Sequence, residues 1–302
     1  MDALGGLGLE APHDLHDVRR FSHEAMATVF EVHVLHPDAG YAAQGAQAAF
    51  DLVDRLEREL SRFIPNSDVS RINHLADGET TGVAASTMEC LLIARHLFEI
   101  TAGTFDISIG TNLPSLEFDV EARTVRATAG GVRLDLGAIG KGYAVDLVAE
   151  LLEEWELPVS LVHGGFSSVL ALEAPAGRDG WPLTLSSPVG AGDTIARLSA
   201  RQMALSASGL RKGDHIVDPR SGAPVRARLA AWASLPRPDP PRTGEGPRLA
   251  AAAVADALTT AFMMLAADDI AQLCDCSPGL QAWILDAGAS DHEATLRRFG
   301  GA

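Results

Sequence analysis

The chain has 302 residues, 47% hydrophobic and 21% charged, which is enough apolar material for a packed core and too much for a disordered chain. With 24 Lys and Arg against 40 Asp and Glu, the formal charge of −16 excludes a general nucleic-acid binder and docking on an anionic membrane. The three cysteines, Cys90, Cys274 and Cys276, make no disulfide framework, and Cys274–Cys276 lacks the second Cys or His pair of a zinc site.

Met1–His16 has neither the basic start nor the apolar stretch of a signal peptide, and no run of about 18 apolar residues occurs. The expectation is a cytoplasmic protein with a polar leader over residues 1–20 and one catalytic domain over 21–300. Thr28–Leu35 alternates as a strand does, and Ala42–Phe63 carries apolar residues at helical spacing until Pro65, Asn66 and Ser67 break it. Ser86 and Glu89 have capping-box spacing ahead of an apolar run to Ile100, and Gly103 stands where a left-handed cap belongs. Leu116–Val120 and Thr124–Thr128 flank a polar turn and predict a hairpin, and Val132–Leu136 predicts a further strand.

Gly137–Gly142 reads as a glycine-rich turn into a helix over Tyr143–Leu152, with strands at Val159–His163 and Val169–Glu173. A proline-rich loop over 235–248 precedes a strong helix at Leu249–Leu265, then a shorter helix and a strand at Ala282–Asp286. Strands and helices without regular alternation favour an α+β fold over a doubly wound sheet.

Three stretches carry candidate chemistry. In LDLGAIGKGYAVD (134–146), three glycines let backbone approach a ligand and Lys141 is placed to pair with a phosphate or with Asp135; an ordinary strand–helix connection is the alternative. Asp256 and Thr260 leave one helix face at i, i+4, as hard oxygen ligands for Mg²⁺ or as a buried polar pair. His215 precedes the DPRSG turn and suits proton transfer near neutrality, or a structural role beside that turn. Gly103–Asp106 adds a carboxylate after a glycine cap.

In fixed order, AMATVFEV (25–32), LSRFIPNSDVSRIN (60–73), AGTFDISIG (102–110), LDLGAIGKGYAVD, HGGFSSVLAL (163–172), SASGLRKGDHIVDPRSGAPV (206–225) and ADALTTAFMML (255–265) resemble the FAD:protein FMN transferases, the ApbE family. The resemblance spans about residues 25–287. It implies an ApbE-like, T-fold-like α+β architecture of mixed, largely antiparallel sheets packed with helices. It also implies Mg²⁺-dependent cleavage of FAD, with FMN joined by a phosphoester to a Ser or Thr of an acceptor flavoprotein and AMP released. The alternatives within the family are hydrolysis of FAD to FMN and AMP, or FAD binding without turnover. Carried onto this chain, the metal ligands are Asp256, Thr260 and the carbonyl of Ala138. The FAD contacts are Met26, Phe63, Thr104, Phe105, Asp106, Asp135 and Lys141, and the catalytic residues are His215 as proton acceptor and Asp256. The chain departs from the family pattern in having Ala27-Thr28 for Gly-Thr and Ala207-Ser208-Gly209 for Thr-Ser-Gly, and in a shorter stretch between Ile109 and Asp135.

Overall fold

The computed structural model describes residues 7–9, 17–165, 167–188, 194–210, 216–237, 250–288 and 294–301. Alternating Thr28–Leu35 is β3, with Phe30, Val32 and Val34 turned into the core. It pairs antiparallel with β2 (Val18–Ala25), whose first residues fall in the stretch read as a leader. The two residues joining them, Met26 and Ala27, have φ of 50° and 56°, the left-handed pair that a two-residue hairpin needs to match the strand twist.

The apolar spacing predicted for Ala42–Phe63 produces α1 (Ala39–Leu60), capped by the Asp38 carboxylate on the N–H groups of Gly40 and Tyr41. A short helix, α2 (Asp68–Ile72), and β4 (Thr80–Gly82) follow, and neither was expected. The helix after them, α3 (Ala85–Ile100), starts without the predicted capping box, because Ser86 hydrogen-bonds Glu59 and Glu89 accepts from the Tyr143 hydroxyl at 2.6 Å. Asp68 serves that helix start instead, accepting from the Ala84 N–H at 2.7 Å and the Thr87 hydroxyl at 2.6 Å. At the far end Ala102, just past the C-cap Thr101, takes the left-handed place at φ 48°, and Gly103 after it, also left-handed at φ 75°, donates to the Phe98 carbonyl.

The predicted hairpin forms as β5 (Leu116–Asp119) and β6 (Thr124–Ala127), which with β4 make a three-stranded sheet. Val132–Leu136 is not a strand. Its backbone groups go to Thr111, to both amide atoms of Asn73, and to the Ile107 carbonyl, so the segment is extended but satisfied without a ladder.

The main layer is an eight-stranded, wholly antiparallel sheet. Besides β2 and β3 it holds β7 (Ser160–Gly164), β8 (Ser168–Ala171), β11 (Met203–Gly209), β12 (Arg228–Pro236), β13 (Gln281–Asp286) and β14 (Thr295–Phe299). β12 absorbs the start of the predicted proline-rich loop, and residues 238–248 of that loop, with Leu249 of the predicted helix, lie outside the described residues. A small sheet of β1 (Leu7–Leu9), β9 (Trp181–Ser186) and β10 (Thr194–Ala200) packs on one face through Trp181, Leu183 and Leu185 against Leu205 and Trp232.

The opposite face carries the helices, chiefly α1, α4 (Gly140–Glu154) and α5 (Ala251–Phe262). α5 is buried almost all round, and its alanines lie with Ala204, Ala231 and Ala233 of β11 and β12 in one core, where small side chains allow helix and sheet to close up. α6 (Ala267–Cys276) closes the chain's helices. No helix among the described residues is long and apolar enough to cross a membrane.

Ala27 occupies a left-handed position at the β2–β3 turn, where a Cβ is unfavourable. Ala27→Gly should therefore stabilise the fold by about 0.5–1 kcal/mol, read as a higher thermal midpoint; an unchanged or lower midpoint would show that the turn is not strained.

Candidate active site

Two helices that meet backbone to backbone build the centre of the site. α4 begins inside the glycine-rich turn, and a Cβ at Gly142 would lie 2.2 Å from the Ala252 carbonyl oxygen and 2.8 Å from the Asp256 Cβ. Only glycine permits that approach. The Gly142 N–H then reaches the Asp256 carboxylate at 3.1 Å, and in the other direction Asp146 of α4 accepts from Ala252 and Ala253 at 3.0 and 2.8 Å. Those two N–H groups are among the orphan donors of α5, whose N-cap Ala250 offers no side-chain cap.

Asp256 is only 3% exposed. Burial raises its pKa, and the Lys141 ammonium 3.7 Å away and the Gly142 N–H pull it back down. Lys141 also donates to the Gly137 carbonyl at 2.8 Å. Asp135 is not its partner: one Asp135 oxygen accepts the Gly137 N–H at 2.8 Å and the other takes Arg62 Nε at 2.9 Å. Arg62, Asp135, Gly137, Lys141 and Asp256 thus form one continuous polar row.

Beneath α5 runs a seam of hydroxyls. Ser208 Oγ lies 2.9 Å from Thr259 Oγ1 and 3.4 Å from Thr260 Oγ1, and Thr259 donates back to the Asp256 carbonyl at 2.8 Å. Ser168 and Ser206, paired across β8 and β11, are buried with no hydrogen-bond partner. Ser168 still acts on the Asp256 carboxyl, lowering its pKa, without full hydrogen-bond geometry.

A carboxylate and hydroxyls in an apolar interface, one carboxylate per cation at 3.7 Å, suit a small hard cation with oxygen ligands. Among the described residues no cluster of three His, Cys, Asp or Glu side chains forms a metal site. The Asp256 carboxylate and the Thr260 hydroxyl are side-chain oxygens of that kind on α5, and the Ala138 carbonyl, which the family resemblance adds to them, lies in the turn before α4.

The other predicted contacts surround this centre unequally. Thr104 and Phe105 are buried at 1% and 2%, and their N–H groups go to the Thr101 carbonyl and hydroxyl, so neither presents a free donor here. Asp106 spends both carboxylate oxygens on its own loop, on Ser108 and on the Gly110 N–H. The loop is tied to the centre by the Asp135 N–H, which donates to the Ile107 carbonyl at 2.7 Å. Gly110 packs against the Pro219 carbonyl of the DPRSG turn, and a cleft of about 300 Å³ opens there beside Asp106 and Arg220.

Met26 is anchored by its N–H to Glu57 of α1 at 2.9 Å, and Phe63, just past the end of α1, is 77% exposed. His215 lies outside the described residues. His163 of the HGG stretch points to the face of the sheet away from the helices, and burial lowers its pKa to about 4.

A sequence profile of the ApbE family matches residues 26–128 and 111–234. The chain belongs to the ApbE family. A protein of Vibrio cholerae named FAD:protein FMN transferase is 23% identical over 248 residues, covering 68% of this chain and 73% of its own. The solved flavin transferase ApbE of the same organism superposes with a TM-score of 0.77 at 16% identity, over 93% of this chain and 96% of that one. The apo flavinyl transferase ApbE of Pseudomonas stutzeri does so with a TM-score of 0.77 at 20% identity, over 99% and 96%. This ApbE chain therefore shares the fold that its sequence predicts.

Sequence reasoning missed Arg62, whose role depends on a partner 73 positions away, and Asp146, whose N–H donors are 106 and 107 positions away. LSRF and the last letter of GKGYAVD contained both residues, but only as pattern.

Burial lifts Asp146 to about 7 against the pull of Ala252 and Ala253; Glu150 adds to the rise and Arg237 opposes it. The unfolded carboxyl titrates near 4, so between about pH 4 and 7 the folded state binds more protons, and this stability is lost as pH rises through 7. The slope is up to about 1.4 kcal/mol per pH unit. Urea unfolding at pH 5 and pH 8 should show that difference in the wild type and less of it in Asp146→Asn, which should also cost about 1–3 kcal/mol by facing an amide NH₂ to an N–H.

Proposed function

We propose that this chain is a Mg²⁺-dependent FAD:protein FMN transferase. It cleaves the pyrophosphate of FAD, joins FMN through a phosphoester to a Ser or Thr of an acceptor flavoprotein, and releases AMP. The observation that carries the reading is the buried Asp256 carboxylate, held by Gly142 and faced by Lys141 where α4 meets α5. The relatives' printed names support the same chemistry.

Attack on a phosphorus crowded by anionic oxygens is governed by alignment and charge neutralisation. Asp256, Thr260 and the Ala138 carbonyl would hold Mg²⁺, which when bound neutralises pyrophosphate charge and polarises the phosphoryl oxygens. Lys141, kept beside Asp256 by the Gly137 carbonyl, adds a fixed positive charge. Phe63 and Met26 offer apolar surface for the flavin, and Asp135 offers a hydrogen-bonding group. The acceptor oxygen bonds to the FMN phosphorus as that phosphorus loses its bond to the bridging oxygen. AMP leaves with the electron pair, and the hydroxyl proton passes to His215.

Incubation with FAD, Mg²⁺ and candidate acceptor proteins should give a flavin-fluorescent band that survives SDS. EDTA or Asp256→Ala should reduce it by at least about a hundredfold, the scale seen when a charge-stabilising group is removed. AMP and FMN produced in equal amounts with no labelled acceptor would make the protein an FAD pyrophosphatase. FAD binding with no AMP release at any Mg²⁺ concentration would make it a non-catalytic member.

A further inference from the structure

The loop that leaves α1 presents an arrangement that the predicted contacts do not explain. Ser61 ends the helix with extended backbone (φ −75°, ψ 124°), its hydroxyl accepts the Phe63 N–H at 3.2 Å, and its carbonyl accepts the Ser67 hydroxyl at 2.6 Å. Arg71 fixes the other end of the loop through the Asn66 carbonyl at 2.7 Å. Between these ties stand Arg62 and Phe63. The Arg62 guanidinium lies over the Phe63 ring, 4.2 Å from its centroid, while its Nε holds Asp135 at 2.9 Å.

Arg62 and Phe63 lie in the turn that follows Ser61, and there the guanidinium folds back over its neighbour's ring. Asp135 is fixed in turn by the Gly137 N–H, so the ring is referenced to the first residues of the glycine-rich turn. Phe63 at 77% exposure keeps most of its ring open to a ligand although one face is covered.

The geometry points to Arg62 as a positioning residue for FAD binding. Its guanidinium is shared between an aromatic face and a carboxylate, and it sets the distance and angle between the surface that takes the flavin and the acceptor that takes a hydrogen bond from the same molecule. The inference rests on FAD being the substrate. A flat guanidinium can stack and pair at once, whereas an ammonium keeps the charge and loses the planar face. Pre-setting the pair before binding lowers the ordering cost of association, so the effect falls on KM and not on the chemical step.

The test is steady-state AMP release from FAD with Mg²⁺ and a saturating acceptor protein, with the Kd for FAD from flavin fluorescence read in place of KM where no AMP is released, in the wild type, Arg62→Ala, Arg62→Lys, Phe63→Ala and the double Ala variant. Arg62→Ala should raise KM for FAD about five- to tenfold with kcat within about twofold, and Arg62→Lys should recover less than half of that rise. In the Phe63→Ala background, Arg62→Ala should add less than about twofold, because the ring it positions is gone. A KM within about twofold of wild type in Arg62→Ala, full recovery by lysine, or full additivity in the double variant would each overturn the proposal. A lower melting temperature with reduced kcat and unchanged KM would also overturn it, as the mark of a merely structural residue. A wild type that neither binds nor cleaves FAD, shown by unquenched flavin fluorescence and no AMP, would overturn the substrate reading instead.

Discussion

Where α4 crosses α5, a glycine lies against helix backbone, and each helix lends a carboxylate to main-chain N–H groups of the other. The exchange is reciprocal but not symmetric. Asp146 satisfies orphan donors at the start of α5, and so sets where that helix begins. Gly142 satisfies Asp256 about one turn further along α5, and so makes its burial tolerable. Without the close approach at Gly142 neither bond forms, Lys141 leaves the neighbourhood of Asp256, and the hydroxyl seam of Ser208, Thr259 and Thr260 loses its relation to the glycine-rich turn. The alanines of α5 and of the sheet beneath it serve the same end, since bulk on that face would lift the helix away.

That contact also decides how a protein of charge −16 can present a positive point to an anionic ligand. At the described centre the cations are few and each is held: Lys141 between the Gly137 carbonyl and Asp256, and Arg62 between Asp135 and the Phe63 ring. Each is paired with a carboxylate, so the centre is nearly neutral before any ligand arrives. Under the proposed function, a divalent cation among Asp256, Thr260 and a main-chain oxygen would tip that balance, and anion binding would then depend on the metal. Global charge governs encounter, whereas these partly buried pairs, less screened by salt than exposed charges, govern the local field.

Elements decided by local signals formed where those signals place them. Thr28–Leu35, the hairpin on either side of residues 120–123 and the left-handed turn at Gly103 all formed as their patterns predict, because alternation and a left-handed glycine are decided within a few residues. The failures were non-local. Val132–Leu136 has the composition of a strand but finds Asn73 where a strand partner would be, and the Ser86–Glu89 capping box yields to partners at Glu59 and Tyr143. The chemistry followed the same division. Lys141 and Asp256, which ordered motifs single out in separate stretches, stand 3.7 Å apart, whereas Arg62 and Asp146 take their contacts from partners on other elements that no local pattern names.

Two of the main helices illustrate why such roles escape a reading along the chain. α3 and α5 both start at alanine N-caps with no side-chain cap of their own, and both take a carboxylate from elsewhere: Asp68 for α3 and Asp146 for α5. A local cap stabilises a helix wherever that helix lies, whereas a remote one stabilises it only in one placement. The remote cap therefore couples helix formation to docking, and it adds specificity where a site is assembled from two chain segments. Asp146 lies five residues after Lys141 on one helix and caps the helix that carries Asp256, so the bond that starts α5 is also the bond that brings the cation and the carboxylate of the site into register.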